Sequence, residues 1–179
     1  VTITQALKTL LDKNFIGRNY TTAYKLAGRW AEYYLTNEGI RYLKQNYKLS
    51  ELTLHAMYKN KTIVQPYIQK CLLLHTLYVQ LQTQYPDKLT IHTRTELAET
   101  EGFPEPLSDL YIFSDDTEYL LDVFNDTLFY LVKKRIDQLL KHFESGEWAD
   151  SKYPTVLLVF PDSRLESKAQ AYIEKLKDD

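Results

Sequence analysis

The chain has a single cysteine, Cys71, among 179 residues, so an internal disulfide is excluded and a reducing cytoplasm is the expected setting. No apolar run approaches the ~20 residues that a membrane-spanning helix needs, and no signal peptide is expected. Internal repeats and low-complexity segments are missing too. Apolar material is plentiful: 44% hydrophobic and 13% aromatic residues suffice for a packed core and argue against global disorder. The length allows one domain, or two small ones sharing a long helix. Fifteen tyrosines stand out. Tyrosine covers a large apolar area and keeps one polar tip, which suits a half-wet sheet or a binding face. Compositional bias of an AT-rich genome accounts for them equally well.

A formal net charge of −2 conceals a split. Up to Lys70 there are eleven Lys and Arg against four Asp and Glu; the remainder holds eleven against twenty. A basic front and an acidic back place any nucleic acid at the front. Two ordinary solvated faces are the alternative.

Residues Thr2 to Lys13 set Ile3, Ala6, Leu7, Leu10 and Leu11 on one helical stripe, opposite Thr4, Gln5, Lys8, Thr9 and Asp12. Asn14 is a helix stop, because it tolerates the left-handed conformation. Two β-rich runs follow, Phe15–Tyr24 and Arg29–Leu35, separated by Lys25-Leu26-Ala27-Gly28, which predicts a hairpin with glycine in its turn. Thr36 is placed to cap a helix from Asn37 to about Asn46 that buries Ile40 and Leu43. Helix, hairpin and closing helix resemble the back half of a winged helix-turn-helix. The two helices that precede a recognition helix in such a domain are expected upstream of Val1. The resemblance implies that Thr4, Gln5, Lys8 and Thr9 read base edges in the major groove of double-stranded DNA, while Arg18, Lys25 and Arg29 on the wing touch phosphates.

A connector helix is expected from Leu49 to about Lys59, followed by a long helix, Ile63 to Gln82, with Pro66 in its first turn. Cys71 and His75 lie among leucines there and read as core residues. Strands are predicted at Leu89–Thr93, Asp109–Phe113 and Tyr119–Phe124. A helix capped by Asp126 should run to Phe143. Tyr153–Phe160, apolar on both faces, reads as a central strand, and Ser163 as the cap of a last helix ending near Lys177. The expected domains are therefore 1–48, a partial winged helix, and 49–179, an α/β domain.

A helix, three strands, then helix, strand and helix is the core order of the restriction-endonuclease-like fold, the fold of the PD-(D/E)XK nucleases. Members hold a divalent cation on two acids and carry a lysine two residues after the second. Here Asp109 and Asp122 occupy the acidic positions, and Phe124 stands where the lysine should. Lys133 or Lys134 on the next helix would have to replace it. No glutamate occurs between Lys61 and Gln82 to add a carboxylate; Glu96 and Glu99 are weak substitutes. Alternatively, Asp109 and Asp122 cap strands or pair with Lys133, Lys134 or Arg135, which leaves the nuclease site degenerate.

Along almost its whole length the chain resembles the replication-relaxation family. The resemblance rests on Tyr34-Leu35-Thr36-Asn37-Glu38-Gly39, the helix around His75, Leu107-Ser108-Asp109 and Tyr119-Leu120-Leu121-Asp122-Val123. Lys134, Gly146-Glu147-Trp148 and Pro154–Phe160 extend it. In that family's third strand the pattern is Glu-Val-Asp, from which Asp122 and Phe124 depart. The resemblance implies a DNA-binding accessory protein, cytoplasmic and without a required cofactor, that assists a relaxase or initiator in plasmid replication or mobilisation. A homodimer on paired half-sites is the default for such a protein. Two rivals are a nuclease using Asp109, Asp122 and Lys133 or Lys134 with Mg²⁺ or Mn²⁺, and an adaptor whose acidic back docks a basic protein.

Overall fold

The computed structural model describes all residues but Val1, 60–64, Glu99, Asp116, 149–151 and Asp179, in two units, Val1–Thr62 and Ile63–Asp179. The first unit opens with α1 (Ile3–Asp12), which starts at a reciprocal cap. The Thr2 hydroxyl accepts the Gln5 N–H at 3.3 Å, and the Gln5 side-chain oxygen accepts the Thr2 N–H at 3.1 Å. Asn14 turns the chain out of the helix with φ 55°. No residue of α1 is buried, and Ile3 at its start is 81% exposed.

Strands β1 (Ile16–Asn19) and β2 (Glu32–Leu35) pair antiparallel, Ile16 opposite Leu35 and Asn19 opposite Glu32. The tight glycine turn expected between two longer strands does not form: helix α2 (Thr22–Leu26) fills the connection. The reason is side-chain chemistry. The Thr21 hydroxyl accepts the Tyr24 N–H at 3.4 Å, and the Tyr24 hydroxyl donates to the Glu32 carboxylate at 3.2 Å, which Asn19 also reaches at 3.2 Å. Capping and the tie to Glu32 outweigh the β-propensity of Thr21–Tyr24. Gly28, with φ 63°, closes this helical turn instead of forming a hairpin tip.

Helix α3 (Asn37–Asn46) begins where its cap predicts. The Thr36 hydroxyl accepts the Gly39 N–H at 3.2 Å and donates to the Asn14 carbonyl, tying the helix to the end of α1. Ile40 is buried, Leu43 is half-buried, and Tyr42 stacks on Phe15 with ring centroids 4.6 Å apart. Helix α4 (Glu51–Lys59) packs on α3 and buries Leu54. Thr36→Ala is expected to destabilise this unit by about 1–2 kcal/mol, whereas Thr36→Ser keeps most of the stability. Urea melts of the two variants check this.

In the second unit, α5 (Gln65–Gln84) is 20 residues long, a span of roughly 30 Å. It lays Leu73, Leu74, Leu77, Tyr78 and Leu81 against one face of a sheet. The sheet comprises β3 (Thr90–Thr93), β4 (Leu110–Ser114), β5 (Thr117–Val123) and β6 (Thr155–Val159), in that spatial order. The first three are antiparallel and β6 runs parallel to β5. Helix α6 (Arg94–Leu97) follows β3. Helices α7 (Phe129–Ser145) and α8 (Ser163–Asp178) build the other core, around Phe124, Val132, Ile136, Leu165 and Ala169. Alternation along β5 sends Leu121 and Val123 toward α5 and Asp122 toward α7. The chain is thus of the mixed α+β class, built on a mixed four-stranded sheet. None of the described helices is long and apolar enough to cross a membrane.

Several expectations are corrected. Strand β6 lies at an edge of the sheet, with Leu157 38% exposed, because the central positions go to β4 and β5. Asp126 does not cap α7: at φ 50° it forms a left-handed turn, and Leu128 holds the cap position without a side-chain bond. Asp162, not Ser163, caps α8, its carboxylate accepting the Arg164 N–H at 2.9 Å. Cys71 and His75 are exposed, since one helical turn separates them on the flank of α5 beside its sheet-facing stripe. Ile63 lies outside the described residues.

Candidate functional site

The register that sets Leu110 opposite Leu121 brings Asp109 and Asp122 face to face one step further along β4 and β5. Each is buried, and they clasp the two strand ends reciprocally. The Asp109 N–H donates to Asp122 Oδ1 at 3.2 Å, and the Val123 N–H donates to Asp109 Oδ2 at 2.9 Å. Buried carboxylates need compensating charge. Asp109 receives it from Lys70 of α5, whose Nζ lies 2.7 Å from Oδ2, and from Arg94 of α6, whose Nη2 lies 3.3 Å from Oδ1. Asp122 receives it from Arg135 of α7, whose Nε donates to Oδ2 at 2.8 Å. The Arg135 fork also holds the Ser108 hydroxyl at 2.8 Å and the Pro106 carbonyl, and Ser108 in turn donates to Asp122 at 3.3 Å.

This donor set does not fit a divalent cation. Both carboxylates already carry close cationic partners, which a metal ion would have to displace from a buried site. Among the described residues no group of three His, Cys, Asp or Glu is placed to ligate a metal. Phe124 is 7% exposed and stacks on Phe160 with centroids 5.2 Å apart, so it serves packing.

Two hollows flank the pair. One, of about 400 Å³, runs along α5 and is lined by Tyr67, Lys70, Cys71, His75, Arg94 and Asp109, among others. Burial pushes the Cys71 thiol above its ordinary pKa although the residue's surface is exposed; the Tyr67 hydroxyl and Lys70 oppose the shift. A thiol held protonated is a poor nucleophile. The second hollow, about 270 Å³, is bounded by Lys70, Arg94, Lys134 and Arg135 beside Asp122 and Phe124.

The remaining sequence-predicted residues fall as follows. Lys134 lines the second hollow, whereas Lys133 turns toward α8, its ammonium 4.5 Å from the Tyr172 ring centroid. Glu96 caps α6 by accepting the Thr93 N–H at 2.7 Å, a bond that holds its carboxyl below the usual carboxylate range. Glu99 lies outside the described residues. Lys70 and Arg94 escaped sequence reasoning, Arg94 because α6 was not foreseen. Arg135 was one of three cations weighed as partners of the acids, and of the run Lys133-Lys134-Arg135 it alone shares the helical stripe of Val132, Ile136 and Leu139.

In the first unit, Thr4, Gln5, Lys8 and Thr9 are all exposed on α1. The Gln5 oxygen is engaged in the cap, and the Thr9 hydroxyl donates to the Gln5 carbonyl at 2.9 Å. Arg18 on β1, Lys25 on α2 and Arg29 beyond it are exposed together with Trp30, at 90%, and Leu26, at 85%. Arg18 lies over the Tyr20 ring and Arg29 over Tyr24, at 6.0 and 5.9 Å. Compared with known protein families, curated proteins and solved structures, the chain matches none.

Proposed function

We propose that the chain is a non-catalytic, DNA-binding accessory protein of plasmid or mobile-element replication or mobilisation, assisting a relaxase or initiator. In this reading the first unit is a winged helix with α1 as recognition helix and β1–β2 as wing, and the second is a restriction-endonuclease-like scaffold. The observation that carries it is β1 and its connection to β2, where Arg18, Lys25 and Arg29 stand exposed among Tyr20, Leu26 and Trp30. Exposed cations interleaved with aromatic side chains suit a phosphate backbone and its bases. The first unit's ten Lys and Arg against four Asp and Glu add to the attraction. Against the nuclease reading stands the ion pairing of both carboxylates.

Anisotropy titration of a labelled duplex should give an affinity that falls steeply with salt. Replacing Arg18, Lys25 and Arg29 by alanine should flatten the log–log slope by about 3, one unit per lost phosphate contact. Absent or salt-insensitive binding by the unaltered chain would sink the reading.

A further inference from the structure

We propose that the hollow bounded by Lys70, Arg94, Lys134 and Arg135 in the second unit is a binding site for a phosphate group, independent of the wing. Positive charge outweighs negative around this hollow. Four cationic side chains and the Asp122 carboxylate line about 270 Å³; counting Asp109, which pairs with Lys70 and Arg94 from outside the hollow, two positive charges remain in excess. This happens in a unit that is acidic as a whole, with twenty Asp and Glu in its sequence.

The carboxylates cannot supply the missing negative charge. Asp122 already accepts from Ser108, the Asp109 N–H and Arg135; Asp109 accepts from the Val123 N–H and is paired with Lys70 at 2.7 Å. Arg94 is therefore a second cation on a carboxylate that already has one. Its side chain is 47% exposed, and its contacts to Asp109 and the Leu107 carbonyl engage only Nη2, so Nε and Nη1 keep donors for a ligand. Lys134 is exposed and makes no ion pair among the described residues. Pro106, Phe124 and Leu131 supply apolar wall beside the cations. A guanidinium fork beside a lysine suits the several oxygens of a phosphate, and two excess charges match a phosphate better than a singly charged carboxylate. The phosphate's source is either a nucleic-acid strand or a free nucleotide.

Calorimetric titration of the whole chain with inorganic phosphate, a nucleoside monophosphate, a short single-stranded oligonucleotide and acetate tests the proposal. Phosphate-bearing ligands should bind and acetate should not. Lys134→Glu and Arg94→Gln should each weaken phosphate binding about tenfold or more, the worth of one charge-assisted bond. The triple alanine variant at Arg18, Lys25 and Arg29 should leave inorganic phosphate binding unchanged. Lys134 has no ion-pair partner among the described residues to lose, and circular dichroism is to check that both variants fold. Tighter binding of the oligonucleotide than of the nucleotide assigns the site to a strand; the reverse assigns it to a free nucleotide. No phosphate binding, equal acetate binding, undiminished binding in both hollow variants, or loss in the wing variant instead, would each overturn the site. Failure of duplex binding at the wing leaves this result standing, so the two proposals fail separately.

Discussion

Arg135→Met should lower the stability of the second unit by about 3–5 kcal/mol, the usual cost of stranding one member of a buried ion pair. Asp122 is 3% exposed and Arg135 6%, so the stranded carboxylate has little access to water. The substitution also removes the donors to Ser108 and to the Pro106 carbonyl, leaving buried acceptors without their bonds. Arg135→Lys should recover little, because one ammonium cannot span three acceptors on two chain segments. The double variant Asp122→Asn, Arg135→Met should be more stable than Arg135→Met alone: the neutral amide still accepts the Asp109 N–H without a stranded charge. Urea melts read through Trp148, which packs edge-on against Phe103 with centroids 5.1 Å apart, follow this unit. A loss below about 1 kcal/mol would mean that the pair contributes no more than a surface salt bridge.

Gly39→Ala should destabilise the first unit by about 2–4 kcal/mol, combining overpacking with a disturbed helix cap. A Cβ built on Gly39 stands 2.0 Å from the Phe15 carbonyl oxygen and 3.0 Å from its carbon. The obstacle is backbone, which cannot swing aside as a side-chain tip would. The start of α3 must lift away from the junction of α1 and β1, straining the Thr36 N–H bond to that same oxygen, now 3.1 Å. The unit has little core to absorb the shift, with Ile40 and Leu54 its buried hydrophobic residues among those described. Gly28→Ala is the control: its Cβ meets nothing within 4 Å, so only the left-handed φ of 63° opposes it, at about 1 kcal/mol. Hydrogen exchange at the amides of α3 separates the two, Gly39→Ala accelerating it far more. Equal effects would show that α3 yields freely.

The two variants also mark where sequence reasoning reached. Thr36 and the span of α3 were legible because a cap and an apolar stripe are local signals over a few residues. The order of the four strands and of α5, α7 and α8 in the second unit was legible for the same reason, but not the short α6 between β3 and β4. Helix α2 was not, since it depends on Tyr24 and Asn19 meeting Glu32. Nor was the edge position of β6, whose apolar run reads like that of a buried strand. The reason for Gly39 was equally hidden, because the atom it avoids belongs to Phe15.

By itself the sequence determined a mixed helix-and-strand fold without deciding between α+β and α/β, most element positions, the split of charge between the two ends, and Asp109 and Asp122 as the acids worth watching. Those properties follow from periodicity, caps and composition, which act within a few residues. The tertiary structure alone decided which cations meet those acids. Lys70, Arg94 and Arg135 come from three different helices, and only sheet register and helix packing bring them within a few ångströms of two buried carboxylates. Coulomb interaction depends on that distance and on exclusion of water, neither of which is written in the order of residues.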